Sequence, residues 1–325
     1  MKNTKPMVIL LMKLLVSAGL LTFFFTRIHL ERFWQTLVSA DFSYIAMALI
    51  VYLGCQAVSA LRWTVLARPL GFKTPFIDFV SYYLIGMFFN LFAPSTVGGD
   101  VSRVYYLARD QERSQGKGWS VTTLPAVLSV FVDRAIGMVV LIWLGAAGLA
   151  LFPEYAVPSP LRSLTLALAL GLLAVASLAP LLSRILPQAG HPMLMKLRLA
   201  LRSYRAHWRA IPQAAFFSLA IHLIQSWMHV VMGRALDLHI PFSYCIIVYP
   251  LVGTFSALPI SLNGFGLREG GYLFLLGVIG ISSEKGIAFG LLLFLIVALD
   301  SLLGGIVFLL KKAPKPAVLA AEEKS

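Results

Sequence analysis

The chain has 325 residues, of which 59% are hydrophobic and only 13% are charged, and its formal net charge at pH 7 is +13. This much apolar surface cannot be hidden in a soluble core, so the composition excludes a soluble globular protein and predicts an all-α polytopic integral membrane protein. The basic excess does not predict a nucleic-acid partner, because the Lys and Arg residues lie in loops beside apolar runs, where anionic lipid headgroups would attract them.

Nine apolar runs follow one another along the chain and predict a single transmembrane domain over residues 1–325, with a polar tail at 311–325. The first run is read as a retained helix, because it is too long for a signal peptide. Six runs are long enough to cross ~30 Å of hydrocarbon at ~1.5 Å per residue. They are Met7–Thr26, Ser43–Leu66, Ser120–Phe152, Ser163–Leu182, Gln213–Met232 and Gly286–Leu310.

The other three runs are short and flank two breaks rich in Pro and Gly, one at Pro94 and one at Pro259. They are Ile77–Phe92, Ser243–Leu258 and Gly270–Ile281. Irregular backbone at membrane depth must be buried in protein or line a wet cavity. The short runs therefore predict two broken, re-entrant helical hairpins, and the sequence leaves open whether 77–92 instead crosses the membrane.

The two breaks belong to stretches that resemble each other at low resolution, over about 43–152 and about 213–310. Arg68 and Arg234 each precede a Pro-Phe pair by seven positions, and later landmarks agree to within one residue. Duplicated units whose helices are broken inside the membrane are typical of transporter folds. The pattern predicts a repeat.

The basic residues predict the orientation of the repeat. If the amino terminus is cytoplasmic and both hairpins re-enter, the basic residues outside are only Arg27, Arg32, Arg162 and Lys285, and the loop at 184–211 becomes a basic cytoplasmic loop. This asymmetry follows the positive-inside rule and predicts a bacterial-type cytoplasmic membrane protein with both termini cytoplasmic. The hairpins then enter from opposite faces, so the duplication becomes an inverted repeat whose two breaks converge.

Several charged residues lie inside apolar runs or at the breaks, where an isolated charge costs at least ~2.5 to 3.5 kcal/mol. They are therefore expected to be paired or to face water. The basic members are predicted to attract a lipid phosphate; they are Arg103, Arg134 and Arg268. The acidic members are predicted to gate the path or to couple protons; they are Asp100, Asp133, Glu269 and Asp300.

Glycines at both breaks open the segments that follow, and free backbone N–H groups at the positive end of a helix suit a phosphate. The predicted substrate-binding set therefore also includes Gly98, Gly99, Asn263, Gly264 and Gly266. One alternative stays open at this point. The carboxylates at the breaks, Asp100 and Glu269, could serve only to cap helices and to pair with arginines.

The remaining polar residues predict neither a metal site nor a cofactor. Cys55 and Cys245 both lie in predicted membrane segments and offer no disulfide framework. His222 and His229 are expected to make hydrogen bonds, either at the membrane interface or between helices. Arg62 is expected to extend to the membrane surface from near the end of its helix.

Three motifs in order carry a resemblance to a known family. They are NLFAPSTVGGDVSR at 90–103, DRAIG at 133–137 and LPISLNGFGLRE at 258–269. Together they resemble the flippase-like transmembrane region of lysylphosphatidylglycerol synthases, over nearly the whole chain. The resemblance implies a role in lipid transport. In bacterial family members that consist of two parts, such a transmembrane region moves an aminoacylated lipid between leaflets, while a separate soluble domain synthesises that lipid. No aminoacyl-transfer domain follows before Ser325, so lipid synthesis is not expected.

The leading hypothesis is a non-enzymatic lipid translocase for a phosphate-containing phospholipid or polyprenyl-linked lipid. Its expected partners are membrane lipids of the anionic-phospholipid or polyprenyl-phosphate type, and the sequence leaves open a separately encoded lipid-modifying enzyme and a homo-oligomer. One alternative is a membrane-embedded glycosyl- or phosphotransferase, which would need a loop for a sugar nucleotide and a cluster of metal ligands that the sequence does not offer. The other is a non-transporting partner subunit.

Overall fold

In the computed structural model, the described residues are 29–92, 97–116, 119–185, 202–258 and 260–311, with scattered positions between 11 and 26. Regular secondary structure in this part of the chain is entirely helical, which confirms the predicted all-α class. Both break prolines, Pro94 and Pro259, lie outside the described residues. So do most of the first apolar run, most of the basic loop 184–211 and the tail beyond Lys311.

Ten helices have bounds within the described residues. They are α1 (Leu30–Val38), α2 (Phe42–Ala67), α3 (Phe76–Phe92), α4 (Val97–Gln115), α5 (Trp119–Leu151), α6 (Ser159–Ile185), α7 (Ala210–Ala235), α8 (Phe242–Ser256), α9 (Leu267–Val278) and α10 (Ser283–Leu310). Five of them, α2, α5, α6, α7 and α10, contain segments long and apolar enough to span a membrane, and α3 and α8 are shorter apolar helices. The chain is a multi-pass helical membrane protein.

The apolar pattern does not predict α1 or α4. Helix α4 is polar, with Arg103, Arg109, Asp110, Glu112 and Arg113 in its 19 residues, so it has no apolar run to detect. It packs between α3 and α5, and those neighbours stabilise a helix that hydropathy alone would assign to a loop.

The helices form two units with reciprocal packing. In the first unit α2, α3, α4 and α5 follow one another, and in the second α7, α8, α9 and α10 do so. In both units the order of lengths is long, short, short, long, and the break lies between the two short helices. Helix α3 packs on α10 of the other unit, α8 packs on α5, and α2 packs on α7. Such exchange is expected of a duplicated unit. The inverted membrane orientation of the two copies stays a prediction.

Each unit contains a helical hairpin with the break at its tip. At the open end of the α3–α4 hairpin, the Thr74 hydroxyl donates to Asp110 Oδ2 at 2.6 Å, and Gln111 Nε2 donates to the Gly71 carbonyl at 2.9 Å. At the open end of the α8–α9 hairpin, the Tyr244 hydroxyl donates to the Leu275 carbonyl. Both hairpins therefore start and finish at the same end.

The two hairpins open toward opposite ends of the bundle. The Asp41 N–H, at the start of α2, donates to the Ala235 carbonyl at the end of α7 over 2.9 Å, so these paired helices run antiparallel. The first hairpin opens beside the end of α2, where Phe72 N–H bonds the Ala67 carbonyl, and the second follows the end of α7. Entry into the membrane from opposite faces stays a prediction that this arrangement supports.

Helix α10 approaches α3 very closely. A Cβ at Gly304 would overlap the Leu84 carbonyl, and one at Gly305 would lie 2.7 Å from the Phe88 ring. Small residues at such contacts let backbones pack without a side chain between them. This packing brings α10 into close contact with the first hairpin and places Asp300, one turn before Gly304, inside the bundle.

Candidate functional site

A buried ion network joins three helices of the first unit. Asp133 in α5 is fully buried and accepts from two guanidinium groups. Arg62 Nε from α2 lies 2.8 Å from its Oδ1, and Arg103 Nη2 from α4 lies 2.7 Å from its Oδ2. Arg62 also donates to the Ser218 hydroxyl at 2.9 Å. The expectation that Arg62 reaches the membrane surface is wrong, because its head pairs with Asp133 inside the bundle.

Aromatic rings fix Arg103 in place. Its guanidinium lies 4.2 Å from the centroid of the Trp63 ring and 4.5 Å from that of the Tyr83 ring. The Trp63 indole N–H in turn donates to the Ser129 hydroxyl at 3.1 Å. Packed between rings and bonded to Asp133, Arg103 is a fixed part of the scaffold.

The outer member of the network is Arg134. Its Nε lies 3.0 and 3.1 Å from the two carboxylate oxygens of Asp100, while Arg103 lies 3.4 Å from the same carboxylate. The Arg134 side chain is 46% exposed, against 4% for that of Arg103. With Arg62, three arginines share two aspartates, so one positive charge is in excess. Arg134 is the member that presents this charge.

The second break is organised around Glu269, which is fully buried. Its Oε2 accepts from the Gly266 N–H at 2.7 Å, and its Oε1 accepts from Arg268 Nη2 at 2.7 Å and Nε at 3.0 Å. Gly266 has φ +83, in the left-handed region that glycine favours. In this conformation the carboxylate caps α9 and pairs with an arginine.

The two breaks meet at Asn90. Its side-chain oxygen accepts from the Gly99 N–H at 2.8 Å, and its backbone carbonyl accepts from Asn263 Nδ2 at 3.0 Å. A Cβ at Gly99 would overlap the Gly86 carbonyl and the Asn90 carboxamide, so the contact needs glycine. The predicted convergence of the breaks is therefore seen as a direct contact.

The structure places the predicted glycines around these breaks in different settings. The N–H groups of Gly99 and Gly266 already bond Asn90 and Glu269, so in this conformation neither is free for a ligand. Gly98 lies half-buried in the first turn of α4, and Gly264 is buried with φ +78, against the Ser256 carbonyl. The glycines thus build the breaks rather than face an open space.

A cavity of about 310 Å³ lies between the two units, and we call it the central cavity. Arg62 and Arg134 face it from the first unit. Its polar lining is completed by Tyr52, Gln56, Ser59, Tyr83, His222, Gln225, His229 and Tyr249. No carboxylate is among the described residues that line it.

A second cavity, of about 190 Å³, lies beside the breaks, and we call it the break cavity. Asn90, Asn263 and Arg268 face it together with the aromatic rings of Phe265 and Phe294. The Arg268 guanidinium lies 5.4 and 5.3 Å from the centroids of these two rings. The break cavity shares Tyr52 and Val297 with the central cavity, so these two residues separate the two spaces.

The two histidines make the predicted bonds between helices. His222 Nε2 lies 2.9 Å from the Gly137 carbonyl of α5, and its Nδ1 lies 3.0 Å from the Tyr249 hydroxyl of α8. His229 Nε2 lies 2.6 Å from the Tyr272 hydroxyl of α9. In the part of the chain that the structure describes, no group of three or more His, Cys, Asp or Glu side chains could hold a metal ion.

Asp300 differs from every other buried carboxylate of the site. It is 3% exposed in the middle of α10, and its Oδ2 has no hydrogen-bond partner among the described residues. Asp133, by contrast, has two arginines. The structure therefore separates the predicted acidic set into a paired group at Asp100, Asp133 and Glu269 and one unpaired member.

Sequence reasoning missed three residues of the site. Arg62 was assigned to a helix end because it lies only a turn and a half before that end. Tyr52 and Asn90 are uncharged polar residues within apolar runs, and only the tertiary contact between the breaks gives Asn90 its role. The one feature of the sequence that points to Asn90 is that it begins the motif at 90–103.

The fold and site together define a polytopic helical membrane protein with a buried charge network and two arginine-lined cavities. The chain belongs to the family described as the lysylphosphatidylglycerol synthase TM region, whose sequence profile matches residues 10–304. This confirms the resemblance. Membership is consistent with a lipid-related role in the membrane.

One curated relative adds to this placement. A UPF0104 membrane protein of Methanocaldococcus jannaschii is 25% identical over 132 residues. The match covers 40% of this chain and 38% of the relative, so the chain matches well under half of that protein's length. The similarity supports the assignment as a membrane protein and does not identify a substrate.

Proposed function

We propose that the protein is a lipid translocase of the cytoplasmic membrane, in which a phosphate-bearing headgroup passes through the central and break cavities while the acyl chains stay among the apolar helices. The observation that carries the proposal is the contact of two arginine-lined cavities inside an apolar bundle. They meet at Tyr52 and Val297. A polar cavity inside an apolar bundle lowers stability, because it removes packing contacts and buries polar groups. A bundle with a purely structural role would be more stable without it.

Arg134 and Arg268 are the phosphate ligands of the proposed path. Asp100 holds Arg134 through Nε and leaves both Nη nitrogens without a partner among the described residues, and Glu269 holds Arg268 through Nε and Nη2 and leaves Nη1 without one. A phosphate can bond those nitrogens or replace the carboxylate, and either exchange keeps the positive charge compensated. Asp100 and Glu269 thus act as the counter-ions between successive headgroups, which gives them the proposed gating role.

Arg103 and Asp133 act through the scaffold. Both are almost fully buried, and neither lines either of the two cavities. Their pair ties α4 to α5 and to Arg62, so it sets the position of Asp100 and Arg134 at the cavity. We assign them a positioning role in place of direct phosphate contact.

The two hairpins lie on opposite sides of the proposed path. They open toward opposite ends of the bundle and touch at their tips through Asn90 and Asn263. If they enter from opposite faces, rocking of one unit against the other exposes the cavities to one leaflet at a time. The headgroup then moves without a continuous pore.

Movement of lipid in reconstituted vesicles tests the proposal. Arg134→Gln and Arg268→Gln should each slow the movement of an acyl-labelled anionic phospholipid by roughly 10- to 100-fold, the worth of one lost charge-assisted bond. Arg113→Gln is the matched control, because Arg113 is exposed on α4 and lines neither cavity. Wild-type rates in both cavity variants would overturn the proposal.

A further inference from the structure

We infer that α1 lies in the plane of the membrane and inserts an exposed apolar stripe into the interfacial region of one leaflet, so that the partner of this surface is the lipid bilayer itself. This interaction is separate from the proposed function and does not depend on it. It follows from where the two ends of α1 lie, from how its apolar residues divide, and from the surface that continues them.

Both ends of α1 lie at the same end of the bundle. Before its first residue, the His29 backbone N–H lies 3.5 Å from Glu284 Oε1, at the start of α10. Just after its last residue, the Asp41 N–H donates to the carbonyl of the last residue of α7. The other end of α10 is far away, where Lys311 pairs with Asp78 beside the open end of the first hairpin. Helix α1 therefore crosses one end of the bundle instead of running along it.

The length of α1 agrees with this position. Its nine residues rise ~1.5 Å each and make a helix roughly 14 Å long. That is less than half of the ~30 Å of hydrocarbon that a spanning helix must cross. Helix α1 can lie on the membrane and cannot span it.

The residues of α1 divide cleanly into an apolar and a polar arc. The apolar residues follow one another around the helix over an arc of about 140°, in the order Phe33, Leu37, Leu30, Trp34 and Val38. The polar residues occupy the remaining surface and are Glu31, Arg32, Gln35 and Thr36. One continuous apolar arc on a short helix with two charges is the pattern of an interfacial amphipathic helix.

The bundle covers only one edge of the apolar arc. Phe33 is 7% exposed in an apolar core formed mainly by residues of the second unit, and Leu37 packs against the same core. At the other edge, Leu30, Trp34 and Val38 are 59%, 65% and 70% exposed. They stand at every fourth position, and we call them the α1 stripe. Helix α1 is thus attached to the second unit along one edge and exposed along the other.

The surface that continues the α1 stripe indicates what covers it. Phe42, the first residue of α2, lies four positions after Val38 and is 77% exposed. Further along α2, Ile50 is 72% exposed in a segment long and apolar enough to span a membrane. The stripe therefore leads into the surface that α2 presents to lipid. A Trp at the start of such a surface is typical of the membrane–water interface, where the ring is apolar and the N–H reaches water.

Area argues for lipid over a protein partner. An aromatic side chain buries at most ~250 Å², and about two-thirds of each residue in the α1 stripe and of Phe42 is exposed. Four such residues offer less than the ~800 Å² per partner of a standard protein interface. Charge adds no preference among lipids, because Glu31 and Arg32 cancel on the polar arc. Insertion therefore rests on apolar contact and not on anionic headgroups.

Quenching of single fluorophores tests the inference in vesicles that hold the purified full-length chain without its native cysteines. Leu30→Cys and Val38→Cys place the fluorophore on the α1 stripe, and Gln35→Cys, which is exposed on the polar arc, is the matched control. A quencher near the headgroup end of the acyl chain should remove most of the emission at both stripe positions. Aqueous iodide should quench the label at Gln35 and leave the stripe labels bright.

Depth gives a second control. A label at Ile50→Cys should lose more emission to a quencher near the methyl end of the acyl chain than to one near the headgroup, and the stripe labels should show the reverse order. Stripe labels with the depth order of Ile50 would place α1 among the spanning helices and overturn the inference. The result should be equal in zwitterionic and anionic vesicles, and quenching by lipid only in anionic vesicles would contradict apolar contact as its cause.

Two further results would overturn the inference. Stripe labels that iodide quenches as strongly as the label at Gln35 would show that the stripe faces water. Stripe labels that neither iodide nor either lipid quencher reaches would show that protein, such as a second copy of this chain, covers the stripe. Agreement between Leu30→Cys and Val38→Cys guards against a local effect of one substitution.

Discussion

Asp133 and Asp300 lie deep in long apolar helices, each four residues before a glycine, yet their surroundings differ. Asp133 lies between two guanidinium groups at 2.7 and 2.8 Å, whereas Asp300 Oδ2 has no partner among the described residues. Two neighbouring cations stabilise the ionised form of a buried carboxylate. A buried carboxylate without a partner has no such stabilisation. The two aspartates should therefore respond differently to the same substitution.

Replacing Asp133 should unfold the protein more easily. Asp133→Asn leaves Arg62 and Arg103 buried without their counter-ion, which costs about 3–5 kcal/mol. Thermal unfolding in detergent measures the loss. Asp78→Asn serves as the control, because Asp78 pairs with Lys311 and is partly exposed, so its loss should cost less than ~1 kcal/mol. Equal losses in the two variants would contradict a structural role for the buried network.

Asp300→Asn should leave stability within ~1 kcal/mol of the wild type. Asp300 has no ion pair to lose among the described residues, and an unpaired charge inside α10 costs at least ~2.5 to 3.5 kcal/mol, so removing the carboxylate should not weaken the fold. Asparagine cannot carry a proton, so any dependence of lipid movement on a pH gradient should disappear. A loss as large as that of Asp133→Asn, or an unchanged pH dependence, would contradict the proton-carrying role.

At the scale of the elements, close packing of α10 on α3 makes a sharp prediction. Gly304→Ala should destabilise the protein by about 1–3 kcal/mol, because its Cβ would overlap the Leu84 carbonyl. Gly54→Ala in α2 has open space around its Cβ and should stabilise the protein by roughly 0.5–1 kcal/mol through helix propensity. Unfolding curves of the two variants that shift in the same direction would show that α10 and α3 do not pack as described.

The hairpins predict which loops share a membrane face. In a background with Cys55 and Cys245 replaced, Lys73→Cys and Ser114→Cys should react with an impermeant thiol reagent only after permeabilisation. His239→Cys and Ser283→Cys should react in intact cells. All four positions are exposed in the structure. Labelling of 73 and 114 from different sides would show that α3 crosses the membrane.

Hydropathy predicts the long helices well because they are apolar along nearly their whole length, as the agreement of Ser43–Leu66 with α2, Phe42–Ala67, shows. It fails at α4, where Asp100, Arg103 and Asp110 have partners on other elements that a window of sequence cannot contain. The same reason explains the site. The pairing of Arg103 with Asp133 and the bridge at Asn90 join residues far apart in the chain, and spacing alone could predict only that such charges need partners.

At the scale of the whole molecule, the reciprocal packing of two units places the cavities where the units meet. Tyr52 and Val297 come from opposite units and stand between the two spaces. A small rotation of one unit against the other would change how these residues separate the cavities. It would leave the ion pairs of Asp133 intact, because they lie inside the first unit, and would strain only the bond from Arg62 to Ser218 of the second unit. The proposed translocase therefore needs only rigid units and a movable contact.

The most direct test of this account is the movement of acyl-labelled phosphatidylglycerol in vesicles that hold the purified wild-type protein, read as the fraction of label that a membrane-impermeant quencher reaches. We predict that the quenched fraction rises from the outer leaflet alone to nearly all of the lipid, that the lipid is chemically unchanged, and that Arg134→Gln/Arg268→Gln removes the rise. Quenching confined to the outer leaflet with folded protein, or covalent conversion of the lipid, would contradict the account.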